Sequence, residues 1–311
     1  MRVSSSRRLA LITGVSLAFL AGCGSSSDSG SDADTSQAAA SSVVPVVAST
    51  NVYGDIAEQI GGKKVAVTSI ISDPDQDPHS YEANTRNQLA LSKAKVVIEN
   101  GGGYDDFVDR MLKSGGNSSA EVINAVKISG KTAPAGGELN EHVWYDFPTA
   151  GKVADSIAAA LAKADPADSA TFTKNAAAFK SKLKPLEAKE AQIKTDHGGE
   201  SVAITEPVPL YVIEASGLKN ATPAAFSEAI EEGDDVSPKT LQATLAQFTG
   251  KKVKALVYNE QTSGPQTEKA EQAAKTAGIP VVPVTETLPA GEDYLGWMTA
   301  NVDALASALA K

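Results

Sequence analysis

Two histidines and two glutamates could bind a metal ion together, and three of these four residues follow apolar segments of the chain. His79 comes shortly after "VTSII", and His142 lies in "NEHVWYD". Glu206 directly follows "SVAIT", Glu286 follows "IPVVPVT", and Glu260 after "VKALVYN" is a further candidate. Two imidazoles and two carboxylates suit a borderline divalent cation. Each residue alone is weak support, because a loop histidine is more often solvated and a glutamate here can merely favour a helix N-terminus.

Other chemistries lack their motifs in this chain. It contains no HExxH helix, nucleophile elbow, Walker loop or GxGxxG turn. The stretch "NGGGYDD" is glycine-rich but has neither the lysine nor the serine of a phosphate loop, so it predicts a tight turn that brings the sheet edge toward a cleft. A secreted metallohydrolase using the same cluster stays an alternative. It would need a general base, and nothing singles out Glu141 or Glu260 for that role.

The elements that must position these residues alternate between strand and helix. The run "VVPVVAST" (43–50) is typical of a strand buried on both faces, and "NVYGDIAEQIGG" predicts a short helix after it. The second half repeats this plan from "SVAIT" onward. Ligands in open α/β sheets gather at the carboxyl ends of strands. The pattern predicts an α/β protein with two βα lobes, each with a parallel sheet, at 43–165 and 198–311.

The segment between the lobes, residues 166–197, predicts one long helix. It is rich in Ala and Lys, and apolar residues recur at helical spacing, as in Phe172 with Phe179. Pro185 should kink this helix without ending it. His197 stands at its end, where an imidazole favours the helix C-terminus, so a structural role outweighs a ligand role. Near the end of the chain, helical spacing of apolar residues from Tyr294 onward predicts a packing helix.

The N-terminus predicts export and lipid anchoring. Three arginines precede the apolar run "LALITGVSLAFLAG", which has signal-peptide length and is short for a membrane span of about 20 residues. The run ends in "LAGC", which looks like a bacterial lipobox, and Cys23 is the only cysteine. We therefore expect a signal peptide at 1–22, a lipidated Cys23, and a disordered tether at 23–42 that is too polar to fold.

Composition narrows the class of partner. The 311 residues favour more than one globular unit, and 42% hydrophobic residues suffice for real cores. The formal charge is −10, from 28 basic and 38 acidic side chains. Such a surface repels phosphate backbones, so we expect no nucleic-acid partner. With a single cysteine, no disulfide can form within the chain.

Several motifs together resemble one family. The segments "VVASTNVYGDIAEQIGG", "DPHSYE", "NEHVWYD" and "GIPVVPVTETLP" are similar to those of the metal-binding lipoproteins of bacterial ABC importers for zinc and manganese. This cluster also includes adhesin-like surface lipoproteins. The resemblance implies two βα lobes joined by a single long rigid helix, with a metal site in the interlobe cleft that takes two ligands from each lobe.

The resemblance also assigns the ligands by position. It implies that His79 and His142 come from the first lobe. Glu206 falls where zinc-type members usually have histidine and manganese-type members glutamate. Glu286 falls where aspartate is usual, and this departure leaves Glu260 as a reserve. Two hard oxygens with two nitrogens fit Mn²⁺, whereas Zn²⁺ would bind the same set at least as tightly. The chain also lacks the histidine-rich acidic loop of many zinc-specific members, which favours manganese.

The predicted function is therefore transport. We expect an extracytoplasmic solute-binding lipoprotein, anchored to the outer face of the bacterial cytoplasmic membrane, that captures Zn²⁺ or Mn²⁺. It would deliver the ion to a cognate ABC permease driven by a cytoplasmic ATPase, act as a monomer, and need no catalytic group. A surface adhesin is the remaining alternative, suggested by the family alone.

Overall fold

Two parallel four-stranded sheets form the framework of the protein. The computed structural model describes residues 43–73, 81, 84–135 and 137–311, so the predictions for Cys23 and His79 lie outside the described residues. The first sheet has the order β2-β1-β3-β4, and the second has the order β6-β5-β7-β8. The strands are β1 Val44–Thr50, β2 Val65–Ile71, β3 Val96–Glu99, β4 Glu121–Asn124, β5 Ser201–Ile204, β6 Lys219–Asn220, β7 Leu256–Asn259 and β8 Val281–Val284.

Helices follow the strands, and those between successive strands of one sheet form crossover connections. In the first half these are α1 Asn51–Gly61, α2 Thr85–Lys93, α3 Asp106–Gly115, α4 Ala125–Ser129 and α5 Phe147–Ala164. In the second half they are α7 Leu210–Ala215, α8 Ala224–Glu231, α9 Pro238–Thr249, α10 Pro265–Ala277 and α11 Tyr294–Leu309. Every described strand pair is parallel, as such crossovers require. The predicted two-lobe α/β fold is confirmed.

Burial explains why the sequence of β1 reads as a continuous apolar run. This strand lies between β2 and β3, with Val46 paired to Val67 on one side and to Val96 on the other. Its residues are almost all buried. The edge strand β2 instead alternates between half-buried and exposed side chains over most of its length, because only one of its faces is well covered.

The helix between the lobes, α6, spans Ser169–His197 and continues through Pro185. A short 3₁₀ turn, Pro166–Asp168, precedes it. Its apolar stripe, including Phe172, Phe179, Leu183 and Leu186, is buried. The helix packs against α1, α5 and α11. In α11 the predicted packing residues Tyr294, Met298, Leu305 and Leu309 are all buried.

One hydrophobic core crosses the boundary between the two sheets. It contains Val44 and Ile98 from the first sheet and Val202 and Val257 from the second, together with residues of α6 and α11. Hydrogen bonds also join the halves: the Tyr294 hydroxyl donates to the Trp144 carbonyl at 2.6 Å. Within the described ranges, no helix is both long and apolar enough to cross a membrane.

Candidate metal site

His142 is held in one orientation by Asn140. The imidazole is fully buried just before a 3₁₀ turn, Val143–Tyr145. Its Nδ1 lies 2.8 Å from Asn140 Oδ1, and Asn140 Nδ2 donates to the Pro207 carbonyl at 3.1 Å. Because the amide nitrogen donates to Pro207, the amide oxygen faces the ring and accepts a hydrogen bond from the Nδ1–H group. The Nε2 lone pair is thereby directed into the space between the lobes, as a metal ligand requires.

Aromatic rings enclose the same imidazole. The ring centroids of Trp144 and Tyr104 lie 5.0 Å and 5.9 Å from that of His142. Tyr104 is delivered by the glycine-rich turn predicted from "NGGGYDD", in which three consecutive glycines have positive φ of 77°, 75° and 106°. At Gly101 a Cβ would lie 2.2 Å from the Asn124 side chain, so both conformation and space require glycine.

The end of strand β3 fixes this turn to the histidine segment. Asp105 accepts hydrogen bonds from the backbone N–H groups of Asn100 and Gly101 at 2.5 and 2.7 Å. The Asn100 side chain donates to the Glu141 carbonyl at 2.9 Å. The residue before His142 is therefore tied directly to the carboxyl end of a central strand, which explains how a loop histidine is placed so firmly.

Glu206 and Glu286 face each other across one amide. Both carboxylates are buried, and Asn259 Nδ2 donates to each of them, at 2.8 Å to Glu286 Oε1. Asn259 ends β7, which lies between β5 and β8 in the sheet. The three residues therefore come from the carboxyl ends of three adjacent strands, where ligand sites of open α/β sheets form.

Gln261 fixes the backbone that carries Glu286. Its Oε1 accepts from the N–H groups of Glu286 and Thr287 at 2.5 and 3.1 Å, and its Nε2 donates to the Thr287 hydroxyl at 2.7 Å. The Glu286 carboxylate lies 3.8 Å from His142 Nε2, measured to Oε2. Burial first, and then the charge of Glu286, raise the pKa of the Tyr104 hydroxyl above its ordinary value.

A further glutamate, Glu231, reaches the same point from the end of α8. Its Oε1 lies 3.6 Å from His142 Nε2, and its side chain is only 12% exposed. Donor atoms of Glu141, His142 and Glu231 all lie within 4.8 Å of one another. Burial, followed by the charges of Glu141, Glu206 and Glu286, raises the pKa of Glu231 to about 10. Gathering carboxylates in a buried place is unfavourable without positive charge, and a divalent cation would supply it.

A cavity of about 1100 Å³ opens beside the cluster. Its described lining includes Lys131 and six glutamates, namely Glu138, Glu141, Glu214, Glu228, Glu231 and Glu232. Glu141 and Glu231 belong both to this lining and to the group around His142. The negative potential of such a wall raises the local concentration of cations next to the cluster.

The structure brings together the predicted residues that it describes, His142, Glu206 and Glu286. The reserve candidate Glu260 is exposed, and its backbone N–H donates to the Val284 carbonyl at 3.0 Å. The adjacent Asn259 points inward instead, because neighbouring side chains of a strand face opposite sides. The structure therefore favours Glu286 over Glu260.

Sequence reasoning missed Asn140, Asn259 and Glu231. The first two could have been found, because Asn140 stands two residues before His142 and Asn259 ends a predicted buried strand. No sequence pattern marks Glu231, since it is one of several acidic residues in "SEAIEEGDD". Its inward position depends on how α8 packs.

Comparison with known proteins shows the family of this chain. Residues 46–308 match the family of the zinc-uptake complex component A, periplasmic (ZnuA), and the chain belongs to that family. The resemblance stated from the sequence is thereby confirmed. Members of this family are solute-binding proteins.

Relatives and solved structures extend the comparison. The chain is 26% identical over 294 residues to the metal ABC transporter substrate-binding lipoprotein SloC of Streptococcus mutans, covering 89% of this chain and 94% of that one. It is 35% identical over 172 residues to the manganese-binding lipoprotein MntA of Bacillus subtilis, covering 54% and 53%. The periplasmic zinc-binding protein TroA of Treponema pallidum has a TM-score of 0.74 at 20% identity, covering 86% of this chain and all of that one. This last likeness concerns the fold.

Proposed function

We propose that this protein captures a divalent transition metal, Mn²⁺ or Zn²⁺, outside the cytoplasmic membrane and delivers it to an ABC permease. The observation that carries the proposal is the convergence of His142, Glu206 and Glu286 at the carboxyl ends of the strands, between the two lobes. Membership of a metal-uptake family supports it. His79 is proposed as the fourth ligand from its place in the sequence.

The donor set is suited to capture. The two carboxylates offset the double charge of the ion, and neutral imidazoles add none. Capture requires the protein to saturate the coordination sphere, whereas a catalytic zinc site keeps a position open for water. We therefore propose a carrier and not an enzyme, with the ATPase on another chain. Oxygen-rich ligation suits Mn²⁺, while Zn²⁺ competes strongly for any such site.

Placement at the membrane completes the proposal. Lipid on Cys23 would hold the chain at the outer face of the membrane, and the polar segment 23–42 would act as its tether. The captured ion would then reach the permease without diffusing through the medium. We propose a monomer, because each chain carries its own ligand set.

Metal titration of the His142→Ala protein tests the function. Loss of the buried imidazole should weaken Zn²⁺ and Mn²⁺ binding at least tenfold, because it removes a nitrogen donor that Asn140 holds in the right orientation. The matched control is His197→Ala, which removes the histidine at the end of α6, where Nδ1 lies 3.2 Å from Glu200. This control should bind both metals like the unaltered protein.

Two results would contradict the proposed function. The unaltered protein, stripped of metal, could fail to bind either ion at micromolar concentration. Alternatively, His142→Ala could bind both ions as tightly as the unaltered protein, which would leave the buried imidazole with a purely structural role.

A further inference from the structure

We propose that Glu231 is an additional metal ligand, supplied by α8 of the second lobe, and that it biases the site toward Mn²⁺. The inference rests on the proposed function, since it concerns the same site. It goes beyond the four ligands predicted from the sequence, in which Glu231 has no part. Three independent features of the structure support it: distance, selective burial, and position at a helix end.

Glu231 lies as close to His142 as the predicted ligand Glu286 does. Two donor atoms bound to one ion at about 2.0–2.2 Å can be separated by at most about 4.4 Å. The Glu231 carboxylate lies 3.6 Å from His142 Nε2, and the Glu286 carboxylate lies 3.8 Å from the same atom. Each carboxylate therefore lies within reach of an ion bound to the imidazole, and Glu231 is the nearer of the two.

Selective burial separates Glu231 from its neighbours. Glu228 and Glu232 stand close to it in the chain, line the same cavity and are exposed. Only Glu231 turns inward, where its side chain is 12% exposed. A glutamate with no role at the site could follow its neighbours into solvent, which would avoid the cost of desolvating its carboxylate.

The end of a helix makes this inward position still less favourable for a carboxylate. Glu231 is the last residue of α8, and the C-terminal end of a helix carries partial negative charge. The surrounding Glu141, Glu206 and Glu286 add further repulsion. A divalent cation between these groups and His142 turns each repulsion into an attraction, so the arrangement fits a metal-bound state.

A third carboxylate changes which ion fits best. Zinc in protein sites is almost always bound by four ligands in a tetrahedron. Mn²⁺ accepts more ligands and favours oxygen donors. With an imidazole, Glu206 and Glu286 already present, Glu231 supplies an oxygen that Mn²⁺ can use and that a tetrahedral Zn²⁺ has less need of. Its loss should therefore cost Mn²⁺ binding more than Zn²⁺ binding.

The experiment compares Glu231→Gln with Glu232→Gln in the full chain. Each metal-free protein is titrated separately with Mn²⁺ and Zn²⁺, and bound Mn²⁺ is examined by electron paramagnetic resonance, which responds to a change of direct ligands. Glu231→Gln should weaken Mn²⁺ binding at least tenfold, weaken Zn²⁺ binding by a smaller factor, and alter the resonance spectrum. Glu232→Gln removes the same charge from the cavity wall without removing a proposed donor, so it should leave the resonance spectrum unchanged and lower both affinities only slightly and to the same extent. Glu231→Asp should recover part of the Mn²⁺ affinity.

Specific outcomes would overturn the inference. Unchanged Mn²⁺ affinity and spectrum in Glu231→Gln would show that the carboxylate does not bind the ion. Tighter binding by that variant would show instead that Glu231 occupies the ion's place and competes with it. If the unaltered protein binds metal in either case, only this inference fails. If the unaltered protein binds none, the proposed function fails with it.

Discussion

The two sides of the cluster are built in different ways. On the imidazole side, His142 lies among aromatic rings, and the amide of Asn140 fixes its orientation. On the carboxylate side, Glu206 and Glu286 share hydrogen bonds from a single amide, that of Asn259. The first side is therefore held by packing and by one amide around a single ring, whereas the second brings two carboxylates together through one neutral donor.

This difference indicates where an ion contributes most. The imidazole is fixed by the surrounding rings and by the amide of Asn140, and none of these contacts requires an ion. Two buried carboxylates repel each other, and one neutral amide can only partly offset that repulsion. The carboxylate side should therefore depend on the ion for its stability, and the imidazole side should be ready to receive it.

Among the substitutions that test this difference, Asn259→Ala should have the largest effect on metal affinity. Without the shared amide, both carboxylates lose the donor that holds them at the sheet edge. Removing such an outer partner typically costs about 10–100-fold in metal affinity, and we expect a loss near 100-fold because two ligands are affected. Calorimetric titration with Zn²⁺ and Mn²⁺ measures this loss.

The matched control for that change is Asn117→Ala. Asn117 also donates from a partly buried amide, to the Leu91 and Ala94 carbonyls at 2.7 and 3.0 Å, but in the first lobe and away from the cluster. It should lower stability while leaving metal affinity intact. Equal affinity of Asn259→Ala and the unaltered protein would mean that the shared amide does not organise the carboxylates.

Asn140→Ala should have an intermediate effect, near tenfold. The ring of His142 would lose the acceptor on Nδ1 but keep its packing against Tyr104 and Trp144, so part of its orientation survives. The lobes would also lose the hydrogen bond to the Pro207 carbonyl. Competition with a chromogenic chelator measures the change in affinity.

Asn51→Ala separates orientation of the ring from contact between the lobes. The Asn51 side chain exchanges two hydrogen bonds with the backbone of Leu288, at 2.8 and 2.9 Å, and thus also bridges the halves. If Asn51→Ala weakens metal binding as much as Asn140→Ala does, the loss of affinity comes from the lost contact between the lobes and not from the orientation of the imidazole.

Glu190→Gln should leave metal affinity unchanged and alter only stability. Glu190 is buried in α6, and burial, followed by the charges of Asp146 and Glu187, raises its pKa from 4.5 to about 8. Between these values the folded state keeps a proton that the unfolded state has released. The free energy of unfolding should therefore fall as pH rises through this range, by at most about 1.4 kcal/mol per pH unit.

The glutamine variant should remove that loss. Compared with the unaltered protein, it should gain stability of roughly 1 kcal/mol or more at pH 8 relative to pH 5, measured by urea unfolding at both pH values. Exposed Glu187, on the same helix, provides the control as Glu187→Gln and should show only a small gain, because its charge is the last of the three causes that raise the pKa of Glu190. A gain of equal size in both variants would argue against a proton held specifically by Glu190.

The sequence predicted the framework because its signals are local. Apolar runs such as that of β1 specify strands buried on both faces, and the spacing of Phe172 and Phe179 specifies the buried stripe of α6. Candidate ligands were also predictable in part, since polar residues after buried strands converge at one sheet edge. Glu206 and Glu286 were proposed in this way and His142 from the motif "NEHVWYD", with the family resemblance deciding among the alternatives.

What the sequence did not predict depends on alternation and on packing. Glu260 was a candidate ligand because it is a carboxylate after a strand. The inward-facing position at the end of β7 belongs instead to Asn259. Glu231 could not be distinguished from Glu228 or Glu232 in the sequence, because the position of each residue around the helix decides which side chain faces the cleft. Such choices depend on the rotation of a packed helix, which no short pattern encodes.

The core that crosses both sheets has a consequence for how the molecule comes apart. Because Val44 and Val257 belong to one buried cluster, each half shares a large part of its apolar interior with the other. Separated halves would each expose a broad apolar surface, so the described chain should melt as one cooperative body. An ion bound at the cluster then also stabilises helices and strands far from it. Its affinity can be measured from the rise in melting temperature of the whole protein.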